Sequence, residues 1–291
     1  MHNPPERCSG GLFRFAPSFL PPESPLWYIP AVKVKIDTLI LKIAGKSMEG
    51  VVDEVAAELP VRLVLNKGPL VTLLCTPAEL EELAVGFLLS EGLLHERSSL
   101  KALSVSSDGP TVNIEITGLP AGWEPAFEKR TISSGCGKGI TFTNYDREKD
   151  RKLDTAAPVL TASAIRDQLA VFRGISTLYL ETGGVHSAAL SDGREILLFS
   201  EDIGRHNAVD KLIGKAFLKG IEIENKVLIT SGRVTSEIVT KAGRNRIPVI
   251  ISRAAPSCMA INYAEDMGIT LVGFARGDRM NIYSWPNRIR V

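Results

Sequence analysis

The chain has 291 residues, 44% hydrophobic and 23% charged, which is enough for a globular protein with a large core and two domains. Its formal net charge of +1 gives no bulk attraction to nucleic acid or to an anionic membrane, so neither is expected as a partner. No run of about eighteen apolar residues exists that would cross a bilayer. The four cysteines, Cys8, Cys75, Cys136 and Cys258, lie too far apart for a disulfide framework or a zinc ribbon, which points to a cytoplasmic protein.

Seven prolines interrupt the first thirty residues, so positions 1–31 read as a poorly ordered tail, neither signal peptide nor helix. Val32–Ile43 alternates apolar and polar residues and predicts a strand. Pro60–Asn66 and Leu70–Cys75, on either side of Lys67-Gly68, predict a hairpin. Thr76-Pro77-Ala78-Glu79 has the pattern of a capping box, with threonine as N-cap and glutamate three residues on. The helix it opens is expected to bury Leu80, Leu83, Ala84, Phe87 and Leu88 and to end at Gly92. Val112, Ile114 and Ile116 mark a further strand. Residues 32–150 therefore read as a small α+β domain, whose only chemistry lies near its end.

That chemistry is Cys136, in Thr131-Ile-Ser-Ser-Gly-Cys-Gly-Lys-Gly139. Most cysteines are small buried hydrophobes, and Cys75 and Cys258 fit that description. Cys136 does not, because glycines on both sides leave its sulfur open to approach. Lys138, with Lys129 and Arg130 nearby, favours the thiolate, the nucleophilic form. A thiolate on a flexible loop suits group transfer, with a persulfide or an acyl group as the carried species. Anion binding by the Gly-Lys-Gly backbone is the competing reading.

From residue 155 to 291 the pattern becomes α/β. Thr161–Arg173 predicts a helix, and Gly183–Leu190 and Glu195–Phe199 flank Ser-Asp-Gly-Arg as a hairpin. Then comes Glu201-Asp-Ile-Gly-Arg-His-Asn-Ala-Val-Asp-Lys211. Gly204 breaks the strand, and Val209, Leu212, Ile213, Ala216 and Phe217 form one helical stripe. His206 and Asp210 are one turn apart and share a face beside that stripe. With Arg205 and Asn207 they are candidates to hold a polar ligand; a His–Asp pair that merely caps the helix is the alternative.

Lys226–Thr230, Pro248–Ser252 and Thr270–Phe274 are three buried-type strands separated by helices, which implies parallel pairing. Ser231-Gly232-Arg233 follows the first, Arg253 the second and Ala275-Arg276-Gly277-Asp278-Arg279 the third. Open parallel sheets bind ligands outside the carboxyl ends of their strands. Arginines 233, 253, 276 and 279 at that edge predict an anionic, phosphorylated ligand. Zinc deaminase chemistry is excluded, since it needs H-x-E and P-C-x-x-C. The helix here reads His206-Asn207-Ala208, and the next opens at Ser231–Ser236 without cysteine, so no metal site is expected.

Glu201–Lys211 resembles the signature of the FdhD family, formate dehydrogenase accessory sulfurtransferases. Pro77–Gly92, Thr182-Gly-Gly-Val-His186, Ser231–Arg233, Ser252-Arg-Ala-Ala-Pro256 and Thr270–Arg276 extend the resemblance from Val32 to the C-terminus. It implies an α/β protein: a small α+β domain followed by a cytidine-deaminase-like three-layer αβα domain without zinc, in a homodimer. It implies sulfur transfer from a cysteine desulfurase, through a protein persulfide, to the molybdenum or tungsten bis(molybdopterin guanine dinucleotide) cofactor, for formate dehydrogenase. The cofactor is then an acceptor substrate with GDP-like arms, not a tightly held group. Cys136 matches the first cysteine of the family's C-G-x-C loop, and Gly139 stands at the second. Phe274, Ala275, Arg276, Gly277, Asp278 and Arg279 correspond to the cofactor-binding segment. Ser231, Gly232 and Arg233, with His206, Asn207 and Asp210, are further candidates, the carboxylate because it can accept hydrogen bonds from guanine. A non-catalytic chaperone for the dinucleotide cofactor is the rival reading.

Overall fold

The computed structural model describes residues 33–107, 109–119, 131–132, 153 and 158–291. The Cys136 loop and the proline-rich tail lie outside the described residues. The N-terminal half opens with an antiparallel ribbon, β1 (Lys35–Ala44) and β2 (Ser47–Ala56), paired with each other alone among the described strands. Next come β3 (Leu59–Leu65), β4 (Gly68–Cys75), helix α1 (Leu80–Glu91), β5 (Leu100–Val105), β6 (Thr111–Ile116) and β7 (Thr131–Ile132). These strands form a sheet of order β5-β6-β3-β4-β7. Alternation turns Val61, Leu63 and Leu65 of β3, with Val112, Ile114 and Ile116 of β6, into one core with Leu83, Ala84, Phe87 and Leu88 of α1. The expected hairpin forms, but it turns at Asn66-Lys67, whose φ values of 47° and 69° are those of a primed turn.

The capping box at Thr76 does not form. Helix α1 begins after Glu79, itself left-handed at φ 53°, and Gly92 closes it at φ 73° as expected. The Thr76 hydroxyl accepts instead from the amide of Ile203, 3.0 Å away and far along the chain. A tertiary donor has taken the oxygen that a local cap would use.

The C-terminal half contains β8 (Leu160–Thr161), α2 (Ala162–Gly174), α3 (Thr177–Thr182), β9 (His186–Ser191), β10 (Ile196–Asp202) and α4 (Arg205–Lys219). There follow β11 (Val227–Thr230), α5 (Ser236–Arg244), β12 (Val249–Ser252), α6 (Cys258–Met267), β13 (Thr270–Arg276), β14 (Arg279–Ser284) and β15 (Ile289–Arg290). A six-stranded sheet runs β10-β9-β11-β12-β13-β14, with β11, β12 and β13 parallel as the crossover helices require. Leu190, Leu228, Ile250 and Leu271 face α4, α5 and α6 on one side. Ala189, Val227, Ile229, Val249, Ile251 and Val272 face α2 on the other, which gives three layers and an α/β fold.

The two halves meet where α1 crosses α4. A Cβ added to Gly86 would lie 1.7 Å from the carbonyl oxygen of Asp210, and one on Gly214 would lie 1.9 Å from that of Glu82. Only glycine lets the two backbones approach this closely. Strands β2 and β14 and helix α3 carry too little periodicity to be read from sequence. Cys75 is buried, as expected. Cys258 is exposed at the start of α6, contrary to its apolar surroundings in sequence.

Candidate functional site

The Glu201–Lys211 stretch is the joint between the two halves. At the end of β10 the Asp202 carboxylate accepts from the amides of Thr76 and Gly204, at 3.0 and 2.7 Å, and from Asn207 Nδ2 at 2.9 Å. Its Oδ2 is 2.6 Å from Lys211 Nζ, and neither side chain is exposed. Burial pushes the Asp202 carboxyl up despite that ammonium. Lys211 also donates to the carbonyl of Thr76 at 2.9 Å, and Asn207 Nδ2 to that of Leu74 at 2.8 Å. One turn on, Lys241 of α5 lies 2.7 Å from both oxygens of Asp210, and Ser90 of α1 donates to Oδ1 at 2.6 Å. His206 faces the same helix, its Nε2 being 3.0 Å from Glu237 Oε2 and 3.2 Å from Thr235 Oγ1. His206 and Asp210 therefore share a face, as their spacing requires, but the face is turned to α5. Buried ion pairs of this kind cost several kcal/mol when one partner is removed.

This placement sets two of the expected binding residues, Asp210 and Asn207, inside the joint between the halves. Both are buried: the Asp210 carboxylate meets Lys241 and Ser90, and Asn207 Nδ2 meets Asp202 and the Leu74 carbonyl. Their pattern in sequence looks like a ligand site because buried polar joints and ligand pockets demand the same residue types.

The open site lies beside the joint, at the carboxyl edge of the parallel strands. It is a cleft of about 390 Å³ lined by Phe172, Arg173, Ser176, Tyr179, Gly183, Gly184, Val185, His186, Ser187, Ser231, Arg253 and Arg276. Strand order builds it. β9 runs antiparallel to β11, with Ala188 opposite Thr230, so its first residues, His186 and Ser187, lie where β11 ends and Ser231 begins. Arg253 follows β12, and Arg276 ends β13 with its Nε donating to the Arg253 carbonyl at 2.8 Å. Glu201 fixes the far wall, since its carboxylate accepts from Ser176 Oγ at 2.7 Å and from the amides of Leu178 and Tyr179, both at 3.2 Å. An acidic cap of that sort suits the positive end of α3.

The electrostatics of this edge are cationic. Burial lowers the pKa of His186, and Arg205, His206 and Arg233 lower it further, so the imidazole is neutral at pH 7. Its Nδ1 is 3.4 Å from Ser231 Oγ, which accepts from the Ser187 amide at 2.9 Å. Arg205 is buried, its Nε has no partner among the described residues, and burial together with Arg233 depresses its pKa. Guanidinium groups gathered with too few carboxylates favour a bound polyanion.

Of the residues expected to bind the cofactor, Ser231 and Arg276 line this cleft, and Arg253 joins them. Gly232 packs against Arg205, to whose Cβ an added Cβ would come within 2.8 Å. Arg233 is exposed beside it. Phe274 is exposed with φ 51°, a costly conformation for a bulky residue, whereas Ala275 points into the core. Gly277 and Asp278 form the β13–β14 turn, Asp278 lies 3.6 Å from Arg166, and Arg279 pairs across from Arg276. Arg173, Ser176, Tyr179, His186 and Ser187 were not expected as wall residues. The Gly183-Gly184 pair before His186 was the available signal. No cysteine lines the cleft among the described residues, and Cys75 is buried with its thiol pushed up to about 12.

Fold and site thus define an α/β protein with a cationic cleft at the carboxyl edge of its sheet. A family model described as FdhD/NarQ matches residues 56–290. The chain belongs to the FdhD/NarQ family. It is 38% identical over 238 residues to the sulfur carrier protein FdhD of Staphylococcus haemolyticus, covering 82% of this chain and 90% of that one. To the protein of that name from Bacillus subtilis it is 36% identical, covering 82% and 91%. A crystal structure from Desulfotalea psychrophila, described as a formate dehydrogenase accessory protein, is similar with a TM-score of 0.73 and 27% identity. That match covers 89% of this chain and all of the other.

Proposed function

We propose that this chain is a sulfurtransferase that relays sulfur from a cysteine desulfurase to the molybdenum or tungsten bis(molybdopterin guanine dinucleotide) cofactor of formate dehydrogenase. The Cys136 thiolate attacks the terminal sulfur of the desulfurase persulfide. The new sulfur–sulfur bond forms as the desulfurase thiolate leaves; in the second transfer the acceptor supplies the electron pair for its new bond to the terminal sulfur, the sulfur–sulfur bond breaks and the Cys136 thiolate leaves. The acceptor's guanine dinucleotide arms occupy the cleft. Arg253 and Arg276 face their phosphates, neutral His186 and Ser231 offer hydrogen bonds, and Phe274 presents an exposed ring at the edge. The work is cytoplasmic. The observation that carries this reading is the arginine-flanked cleft, in a chain whose relatives are named sulfur carriers.

Intact-mass measurement after incubation with a desulfurase and cysteine should show a one-sulfur adduct on the wild-type chain and none on Cys136→Ala. An adduct of equal occupancy on the variant refutes the relay. Gly139 in place of a second loop cysteine leaves this single-cysteine relay intact and removes a two-cysteine handoff. The rival is a chaperone that delivers the dinucleotide without transferring sulfur. The rival predicts that Cys136→Ala still restores formate dehydrogenase activity in a deletion strain.

A further inference from the structure

The cleft is lined by groups that donate hydrogen bonds, and among the described residues no carboxylate or carboxamide lines it. Two carboxylates of the neighbouring signature stretch are engaged by protein donors. Glu201 accepts from Ser176 Oγ and from the amides of Leu178 and Tyr179, and Asp210 holds Lys241 through both oxygens. The Ser187 hydroxyl lies 2.5 Å from Ser176 Oγ, whose own proton goes to Glu201, so both serine protons are spent within the wall. Main-chain acceptors of the lining are taken as well. The carbonyls of Ser176, Tyr179 and Ser187 accept from the amides of Leu180, Gly183 and Ser231, at 3.0, 2.8 and 3.0 Å, and that of Arg253 accepts from Arg276 Nε at 2.8 Å. The guanidinium groups of Arg173, Arg253 and Arg276 can only donate, and the Tyr179 hydroxyl can do either.

The tautomer of His186 follows from its neighbour. Ser231 Oγ accepts from the Ser187 amide at 2.9 Å, which leaves its own proton for His186 Nδ1, 3.4 Å away. A neutral imidazole that accepts at Nδ1 carries its proton at Nε2, on the far side of the ring from Ser231. The ring stays neutral because burial, and then Arg205, His206 and Arg233, all disfavour the imidazolium. His186 therefore adds one more donor to the lining, and Ser231 fixes which nitrogen bears it.

A guanine offers donors, N1–H and the 2-amino group, along one edge and acceptors, O6 and N7, along another. Only the second edge complements a lining of donors. We propose that the cleft reads the purine of the nucleotide arm on its O6–N7 edge, with His186 Nε2–H donating to O6 as the specificity-determining contact, while Arg253 and Arg276 meet the phosphates. This rests on the reading that the guanine dinucleotide arms occupy the cleft. The keto oxygen is then the recognised feature, and the 2-amino group is not read. Adenine presents an amino donor where guanine presents O6, which sets donor against donor and rejects it. Hypoxanthine keeps O6 and N7, lacks only the 2-amino group, and is accepted.

Isothermal titration calorimetry of the full chain with guanosine, inosine and adenosine diphosphates measures the preference directly. Inosine diphosphate should bind within about threefold of guanosine diphosphate. Adenosine diphosphate should bind at least about 30-fold more weakly, the loss expected when a hydrogen bond gives way to two facing donors. His186→Ala should bring the guanosine and adenosine affinities within about threefold of each other. His186→Gln, whose side-chain amide can place an N–H where Nε2 stood, should keep most of the preference. A purely structural role for His186 would weaken both nucleotides alike and leave their ratio unchanged in His186→Ala, and that result overturns the inference. So does inosine diphosphate binding about tenfold or more weakly than guanosine diphosphate, because the amino edge would then be read. Equal binding of adenosine diphosphate overturns it too. If Arg253→Ala with Arg276→Ala still weakens guanosine diphosphate binding, those three results leave the cleft standing as the dinucleotide site. Guanosine diphosphate that does not bind, or that binds the double variant as well as the wild type, overturns the cleft reading and this inference with it.

Discussion

Asp210→Asn separates a joint from a ligand site. The substitution keeps the shape and removes the charge, leaving the buried Lys241 ammonium without the carboxylate that holds it at 2.7 Å through both oxygens. Loss of one partner from a buried ion pair costs about 3–5 kcal/mol. The lower end applies here, because the Glu91 carboxyl, 4.0 Å from Lys241, can ionise and make good part of the loss. For a chain of this size a loss of about 3 kcal/mol lowers Tm by roughly 6–12 °C, a large share of a typical total of about 5–15 kcal/mol. Thermal and urea unfolding followed by circular dichroism measure it. Asp210→Leu combined with Lys241→Met should recover most of the loss, since an apolar pair of similar volume replaces the ions without leaving either unpaired. Guanosine diphosphate affinity of the folded Asp210→Asn protein should stay within about twofold of wild type, an energy difference below about 0.5 kcal/mol. A variant with unchanged Tm that has lost the nucleotide would refute the joint and return Asp210 to the ligand.

Two further substitutions probe the same junction. Gly86→Ala puts a methyl group 1.7 Å from the Asp210 carbonyl oxygen, a backbone atom that cannot swing aside, so α1 and α4 must separate. The expected loss is at least about 3 kcal/mol in urea unfolding, and a variant as stable as wild type would mean the helices do not touch there. Glu91 is buried and its pKa is raised to about 7, by burial first and with Asp210 adding to it, while Lys241 opposes the shift. Between the unfolded value near 4.5 and about 7 the folded state holds a proton that the unfolded state has released. Stability contributed by this group is therefore full below the lower value and falls as pH rises through the upper one. Glu91→Gln should flatten that decline and exceed wild type in stability at pH 8 by up to roughly 3 kcal/mol. Parallel stability–pH curves for the two proteins would show that Glu91 does not titrate in this range.

The sequence by itself determined what local periodicity and composition can encode. The faces of α1 and α4, the hairpin of β3 and β4, and three short strands with crossover helices all follow from apolar spacing, and parallel pairing follows from connection length. The arginines after those strands already give the carboxyl edge of the sheet a cationic character, and two of them, Arg253 and Arg276, line the cleft. What only the tertiary structure decided is which partner each polar group meets. Thr76 has the pattern of a cap and serves Ile203 instead. Asp210 has the pattern of a ligand and serves Lys241. His186 enters the cleft because β9 lies antiparallel beside β11, a neighbour relation that no local signal carries. The alternation of β1 announces a strand but not that its apolar face would find no cover within the described chain. A side chain's type and spacing fix the face it presents; the group across from it comes from distant sequence, and only packing brings the two together.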